Sequence, residues 1–168
     1  KTITAIVGPV ITLDSVLVYD HPDCVDYNGA VVARPHVANL TSNIIFKSES
    51  ATGIRGHAAF IYKAVTNVKN VRFESLGRTT NDPIEYYTNP IGRYACHFHH
   101  PYKTGNVLNK CVILDTVEPS IRRWGITLHD THYHAITNNV IYNYAGWGLG
   151  TESGEESNNT ITGNFAVR

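Results

Sequence analysis

Three segments of this chain can be laid on one another so that their apolar and polar positions coincide. They are residues 96–99 (CHFH), 126–129 (ITLH) and 149–152 (LGTE). Alternate side chains of a β-strand point to opposite faces, so the overlay directs one set inward and the other outward. Stacked as parallel strands, equivalent residues would lie about 4.8 Å apart. The overlay therefore predicts successive coils that each add one strand to a parallel sheet.

Short β-branched and aromatic runs, most of them after an asparagine, recur along the chain. Their equivalent positions are predicted to be Phe46, Phe73, Ile113, Ile141 and Ile161. All but one of the separations suit a β-solenoid coil of two or three short strands. The long separation contains residues 79–90, which are rich in turn formers and are predicted to be a loop leaving one coil.

The fold class predicted from these repeats is all-β, a right-handed parallel β-helix. Helical periodicity is nearly absent, whereas strand-like alternation is plentiful. Asparagine tolerates left-handed backbone and can form stacked amide ladders, so it suits the corners between coils. An immunoglobulin-like sandwich is the structural alternative. It would need several hairpin turns of the Asn-Gly type, and Asn28-Gly29 is the one clear case.

The start of the chain has a different pattern. Residues 1–14 predict a β-hairpin that turns at Gly8-Pro9, and residues 15–20 are expected to continue it. Residues 21–34 are predicted to be a loop that leads into the first coil.

We expect residues 1–38 to be the end of a cap or preceding module and residues 39–168 to be the β-helix coils. Strand-like sequence at both ends, with no methionine, favours a piece excised from a longer protein. A net charge of +0 gives no basic surface for nucleic acid. No apolar run is long enough for this segment to insert in a membrane. Uncovered coil edges would favour end-to-end self-association.

Three cysteines cannot all pair with one another. Cys96 and Cys111 fall on apolar strand positions and are predicted to be buried free thiols, and the state of Cys24 is left open.

Several motifs follow one another in the order that one protein family shows. They are residues 11–17 (ITLDSVL), 19–21 (YDH), 43–46 (NIIF), 55–57 (RGH), 76–79 (LGRT), 91–94 (IGRY), 97–99 (HFH) and 151–152 (TE). On these motifs the chain resembles the β-helix region of the family that includes the cell-migration-inducing hyaluronan-binding protein and the fibrocystins. The resemblance implies an extracellular or cell-surface location and, in some members, depolymerisation of hyaluronan. A polysaccharide is accordingly the expected partner.

The overlay places His99, His129 and Glu152 in one outward column. Two imidazoles and a carboxylate can hold one divalent metal ion, the expected cofactor, or can act as acid and base on a sugar. The backbone column spans about 9–10 Å, so one ion requires the side chains to converge. Alternatively, the column is a hydrogen-bonded stripe with a structural role.

Further residues are expected to assist this column. His97 points to the same face, and its partners Thr127 and Gly150 predict open space beside it for a substrate or a metal. Arg93 is expected to assist catalysis. Sugar-stacking candidates are Tyr94, Tyr102, Trp124, Tyr133 and Trp147, of which Tyr102, Trp124 and Tyr133 are preferred.

Other basic side chains have two open interpretations. Arg55, Arg122 and Arg123 could extend a basic edge with Arg93, or form salt bridges to Asp115, Glu118 or Glu74. His100 is expected to lie in the core or at a corner. His132 and His134 could line a groove beside the column of His99, His129 and Glu152.

The leading functional hypothesis is an extracellular polysaccharide-processing enzyme, a hydrolase or lyase, that acts on an acidic glycan of the hyaluronan type. The alternative is a non-catalytic glycan-binding or structural rod with a surface metal site. A third hypothesis, metal storage or sensing, rests on nine histidines in 168 residues.

Overall fold

A computed structural model describes residues 1–79, 92–117 and 123–168 of the chain. The described residues form two compact units, Lys1–Val37 and Ala38–Arg168. All of their regular structure is β-strand. In this part of the chain we find no helix that could span a membrane.

Three sequence predictions lie outside the described residues. They concern the loop at 79–90, apart from its first residue, and the side chains of Arg122 and Glu118.

The unit Lys1–Val37 begins with the predicted hairpin. Strands β1 (Ile3–Val7) and β2 (Val10–Leu13) pair antiparallel, with Val7 opposite Val10. Gly8 sits in the turn with φ of 58°, a backbone conformation that glycine adopts without steric cost.

Two predictions for the rest of this unit are wrong. Residues 15–20 form no strand, because no described strand pairs with them to satisfy their backbone groups. Residues 21–34 are not only a loop, since β3 (Cys24–Val25) and β4 (Val31–Ala33) pair antiparallel. The turn between them is closed by the Asp26 carboxylate, which accepts hydrogen bonds from backbone N–H groups.

The unit Ala38–Arg168 is a parallel β-helix, as predicted. Its strands in chain order are β5 (Ile44–Lys47), β6 (Ala58–Ile61), β7 (Asn67–Lys69), β8 (Val71–Glu74), β9 (Cys96–Tyr102), β10 (Val107–Asn109), β11 (Val112–Leu114), β12 (Ile126–Thr131), β13 (Ala135–Thr137), β14 (Val140–Tyr142), β15 (Leu149–Thr151), β16 (Thr160–Thr162) and β17 (Phe165–Val167).

These strands form three parallel sheets. The site sheet contains β6, β9, β12 and β15, the second sheet contains β5, β8, β11, β14 and β17, and the third contains β7, β10, β13 and β16. Along the chain, strands of the second, site and third sheets follow one another in a fixed rotation, which winds the backbone into coils.

The predicted equivalence of Phe46, Phe73, Ile113 and Ile141 is confirmed by the pairing of the second sheet. The extension to Ile161 is wrong. Ile161 lies in the third sheet opposite Ile136, and Ala166 takes the next place in the second sheet. An asparagine precedes strands of both sheets, so the same short pattern occurs twice in one coil.

The corners between the third and second sheets explain the asparagine content. One residue with positive φ directly follows each strand of the third sheet: Asn70, Lys110, Asn138 and Gly163. Next to the corner, Asn139 donates from its backbone and side chain to the side-chain oxygen of Asn164 at 3.0 and 2.9 Å. This is an amide ladder of the predicted kind, and it satisfies backbone groups that leave the sheets.

Inward side chains of the three sheets fill the core. Its aliphatic and aromatic members include Phe73, Phe98, Leu108, Ile113, Ile126, Leu128, Ile136 and Ile141. Cys96 and Cys111 are buried free thiols, as predicted, and Cys24 is an exposed free thiol.

Candidate metal centre

The pairing of the site sheet has the register that the overlay predicts. Ile126 lies opposite both Cys96 and Leu149, and His129 lies opposite His99. Just beyond β15, the backbone N–H of Glu152 donates to Leu128 at 2.8 Å and continues the ladder by one residue. Apolar residues of these strands point into the core, so the imidazoles and the carboxylate share the opposite face.

The three side chains converge more closely than their backbones. The Nδ1 atoms of His99 and His129 are 3.1 Å apart, and His129 Nδ1 is 3.2 Å from Glu152 Oε2. Metal–ligand bonds of about 2.0–2.1 Å give ligand–ligand distances of about 3.3 Å in a tetrahedral site. The backbone separation expected to oppose a single ion is therefore overcome by the side chains.

His97 joins this cluster as a fourth member. Its Nδ1 is 2.8 Å from the carbonyl oxygen of Gly92, so Nδ1 carries the proton and Nε2 has a free lone pair. That lone pair is 3.7 Å from Glu152 Oε2. Nitrogen atoms of His97, His99 and His129 all lie within 4.8 Å of one another, a spacing that could hold a metal ion.

The surroundings of His97 do not leave the open space that the sequence predicts. His97 is 3% exposed, and the rings of Tyr94 and His97 pack edge to face with their centroids 4.8 Å apart. The ring of Trp147 lies on Gly150, where an added Cβ would overlap it. His97 is therefore enclosed, and a ligand role fits it better than contact with a bulky sugar.

Two imidazoles of the cluster have lowered pKa values. Burial lowers the pKa of His97 to about 4. The pKa of His99 is lowered by burial first, and then by His100 and His129. Both rings are neutral at neutral pH, and the neutral ring is the form that binds a metal.

Tyr94 orients the carboxylate of this cluster. Its hydroxyl donates to Glu152 Oε1 at 2.7 Å, which leaves Oε2 facing the imidazoles. Burial and the Glu152 carboxylate raise the pKa of Tyr94, so the phenol keeps its proton. Partners of this kind fix the direction in which a ligand presents its lone pairs.

The role of Tyr94 was missed in the sequence, where it was only a candidate for stacking on sugar. A signal was present: Tyr94, Trp124 and Trp147 each precede a small residue and then a strand of the site sheet. Their rings stack in order, with centroids 4.9 and 4.7 Å apart. Trp124 has a ring against each of its faces, so it is not free to stack on a sugar as expected.

Two of the arginines expected at a basic edge, Arg55 and Arg123, are instead buried in ion pairs. Arg55 is 1% exposed and makes two hydrogen bonds to Asp115, at 2.9 and 3.0 Å. Arg123 also contacts Asp115, at 3.3 Å. The salt-bridge interpretation is therefore correct for both, and they form no basic edge. Arg93 donates to the carbonyl oxygen of Arg55, and in the described part of the chain it has no hydrogen bond or ion pair with the cluster.

Three other histidines near the site sheet differ in their surroundings. His100 is at a corner, as expected, with φ of 50°, and its Nδ1–H donates to Asp130 at 2.9 Å. Its ring packs on His129 with centroids 4.4 Å apart. His132 contacts Asp130 and Ser157. His134 is buried against Asn106 and faces away from the groove it was expected to line.

Two of the three preferred sugar-stacking candidates remain accessible, and so does Trp147, which is 53% exposed. Tyr102, the last residue of β9, is 41% exposed, and Tyr133, two residues after β12, is 53% exposed.

Comparison with known proteins agrees with the fold. Residues 53–168 match the family model described as the CEMIP beta-helix. The chain is 31% identical over 168 residues to a G8 domain-containing protein of Dictyostelium discoideum, an alignment that covers 98% of this chain and 13% of the relative. No solved structure matches the chain. The matched family model covers most of the parallel β-helix, and the chain belongs to the CEMIP β-helix family.

Proposed function

We propose that this chain is an extracellular β-helix module that processes an acidic polysaccharide of the hyaluronan type through a divalent metal centre. The centre consists of His97, His99, His129 and Glu152. One observation carries it: the buried Glu152 Oε2 lies 3.2 Å from His129 Nδ1 and 3.7 Å from His97 Nε2, and His97 Nε2 has no hydrogen-bond partner among the described residues. Two acceptor atoms in this arrangement repel unless a proton or a metal cation lies between them, and the low pKa of His97 favours the metal.

The ligand chemistry favours one class of metal. Three imidazoles and one carboxylate suit a first-row transition ion such as Zn²⁺. Ca²⁺ and Mg²⁺ prefer oxygen ligands, of which this cluster offers few. A bound divalent ion would neutralise the carboxylate of a uronate sugar and polarise the adjoining bonds.

His100 is the group best placed to exchange a proton with the substrate. It adjoins His129 but lies outside the ligand set, and its side chain is 36% exposed. Asp130 accepts the Nδ1–H of His100, so Nε2 is left as the base, in the manner of an aspartate–histidine pair.

The test is depolymerisation by the metal-loaded chain. Hyaluronan and polygalacturonate are incubated with the wild type, His129→Ala, His100→Gln and the control His21→Ala, an exposed histidine of the first unit. Product size is measured by size-exclusion chromatography with light scattering. Ultraviolet absorbance of an unsaturated uronate separates a lyase from a hydrolase.

We expect the wild type and the control to shorten at least one polymer, and both site variants to lose activity with unchanged circular dichroism. Full activity in His129→Ala would contradict the proposal. Binding without cleavage by the metal-loaded wild type would also overturn it, in favour of the glycan-binding rod.

A further inference from the structure

Three tyrosines occupy unusual backbone positions where the chain leaves the site sheet. Tyr62, Tyr102 and Tyr133 have φ values of 47°, 56° and 62°. Bulky side chains rarely adopt positive φ. The corners on the other side of the helix use asparagine or glycine at three such positions, Asn70, Asn138 and Gly163. Three successive coils therefore each carry such a tyrosine, although Tyr102 lies opposite Thr131 and not opposite Tyr133, and the turn itself does not require tyrosine there.

All three tyrosines present their rings to solvent. Their exposed fractions are 59%, 41% and 53% in chain order. Exposed aromatic rings on rigid backbone are typical of surfaces that bind planar or apolar faces of a ligand.

Two lysines hold their charges beside these rings. Lys63 Nζ lies 5.3 Å from the ring centroid of Tyr62, and Lys103 Nζ lies 5.9 Å from that of Tyr133. Such cation–π contacts position an ammonium group without neutralising it. Neither lysine forms an ion pair with a carboxylate in the described ranges.

Two acidic side chains near Tyr133, Asp130 along the chain and Glu156 next to its backbone partner Ser157, are already engaged. Asp130 contacts His100 at 2.9 Å and His132 at 3.5 Å. Glu156 accepts hydrogen bonds from the backbone N–H groups of Asp130, Ser153 and Gly154. Their charges oppose a polyanion less than free carboxylates would.

This surface is continuous with the metal centre. Ring centroids are 6.2 Å apart between Tyr62 and Tyr102, 6.1 Å between Tyr102 and His100, and 4.4 Å between His100 and His129. A ligand on the tyrosines would therefore reach the candidate site without leaving the surface.

We infer that the Tyr–Lys track, composed of Tyr62, Lys63, Tyr102, Lys103 and Tyr133, binds an acidic polysaccharide chain that runs along the helix axis. This inference rests on the proposed function and adds the surface that binds its substrate and the direction in which the substrate lies. Each of three successive coils offers one tyrosine ring for the faces of the sugars, and the rings of Tyr62 and Tyr102 are 6.2 Å apart. The ammonium groups pair with the uronate carboxylates.

The test compares binding of a hyaluronan decasaccharide, a polygalacturonate decamer and neutral dextran by isothermal titration. Lys63→Ala/Lys103→Ala removes both charges, and Tyr102→Asn removes a ring but keeps a residue suited to positive φ. The controls are Lys110→Asn and Tyr142→Ala. Lys110 is exposed at a corner between the third and second sheets, and Tyr142 points outward from the second sheet.

We expect the double lysine variant to bind the acidic oligosaccharides about tenfold more weakly than the wild type, with a smaller dependence on salt. Tyr102→Asn should weaken binding by a similar factor, and the controls should bind as the wild type does. Unchanged affinity in the double variant, or equal affinity for dextran, would overturn the track.

Two outcomes separate the track from the proposed function. Track-dependent binding by a chain that takes up no metal and cleaves nothing would remove the proposed function and leave the track. Cleavage that is insensitive to the lysine and tyrosine variants would do the reverse.

Discussion

His97 Nε2 and Glu152 Oε2 face each other at 3.7 Å in a buried site, and His129 Nδ1 lies 3.2 Å from the same oxygen. The carbonyl of Gly92 holds the proton of His97 on its other nitrogen, and Tyr94 holds the other carboxylate oxygen. Gly92 and Tyr94 thus direct a lone pair of His97 Nε2 and a lone pair of Glu152 Oε2 into the same small space. A divalent metal ion in that space is the central claim of the proposed function.

Tyr94→Phe is expected to weaken metal binding at the candidate centre and leave the aromatic stack in place. The variant loses the hydroxyl that orients Glu152, so metal affinity should fall about 10- to 100-fold. Competition with a chromophoric chelator measures the affinity, and Tyr142→Phe is the control. An affinity equal to that of the wild type would mean that Glu152 needs no orientation.

Asp115→Asn is expected to destabilise the β-helix strongly. The change leaves the buried guanidinium groups of Arg55 and Arg123 without a counter-charge, and breaking a buried pair costs about 3–5 kcal/mol. Denaturant unfolding measures the loss. The matched control is Glu74→Gln, whose partner Arg72 is partly exposed and for which about 0–1 kcal/mol is expected. A similar decrease in the free energy of unfolding in both variants would contradict a special structural role for the buried pairs of Arg55 and Arg123 with Asp115.

Gly150→Ala is expected to displace the ring of Trp147. A Cβ at this position overlaps that ring, so overpacking should lower the free energy of unfolding by about 1–3 kcal/mol. Near-ultraviolet circular dichroism should report disturbed stacking between Trp147 and Trp124. At Gly56 the nearest atom to an added Cβ is 3.9 Å away, so Gly56→Ala is the control. Native spectra and stability in Gly150→Ala would show that the ring is not held there.

His134→Asn is expected to make the fold less sensitive to acid. Burial lowers the pKa of His134 in the folded state below its ordinary value of 6.5. As the pH falls below that value, the unfolded chain takes up a proton that the folded chain does not, so stability is lost on acidification. The asparagine side chain does not titrate and suits the corner beside Asn106.

The measurement for His134→Asn is thermal unfolding at about pH 7.5 and about pH 5.5. The wild type should lose more stability between the two than the variant does, with a difference of up to about 1 kcal/mol, because only about one pH unit separates pH 5.5 from the ordinary pKa of histidine. Equal losses would show that His134 is not a source of the acid sensitivity.

The sequence predicts the site sheet well because alternation is a strong constraint. A shift of one residue in β9 or β12 would turn Phe98 and Leu128 out to solvent and His99 and His129 into the core. The column of His99, His129 and Glu152 follows from that constraint alone. The third and second sheets are harder to separate, because asparagine precedes strands of both, and Ile161 was assigned to the wrong one for this reason.

Other features depend on contacts that alternation does not encode. The pairing of Arg55 with Asp115 joins residues 60 apart in the chain. From the sequence, another carboxylate or solvent could equally have satisfied the guanidinium group. His97 was expected beside open space because Gly150 has no side chain, yet Trp147 occupies that space. The convergence of Glu152 on His129 depends on side-chain rotamers, which a strand register leaves free.

The most direct test of the metal centre is the metal content of the purified chain, measured by elemental mass spectrometry after exposure to divalent ions. His129→Ala and His97→Gln are compared with the wild type and with His21→Ala. The account predicts about one equivalent of a divalent transition ion in the wild type and the control, and its loss from both site variants with the fold retained. A wild type that retains no metal, or site variants that retain as much as the wild type, would contradict it.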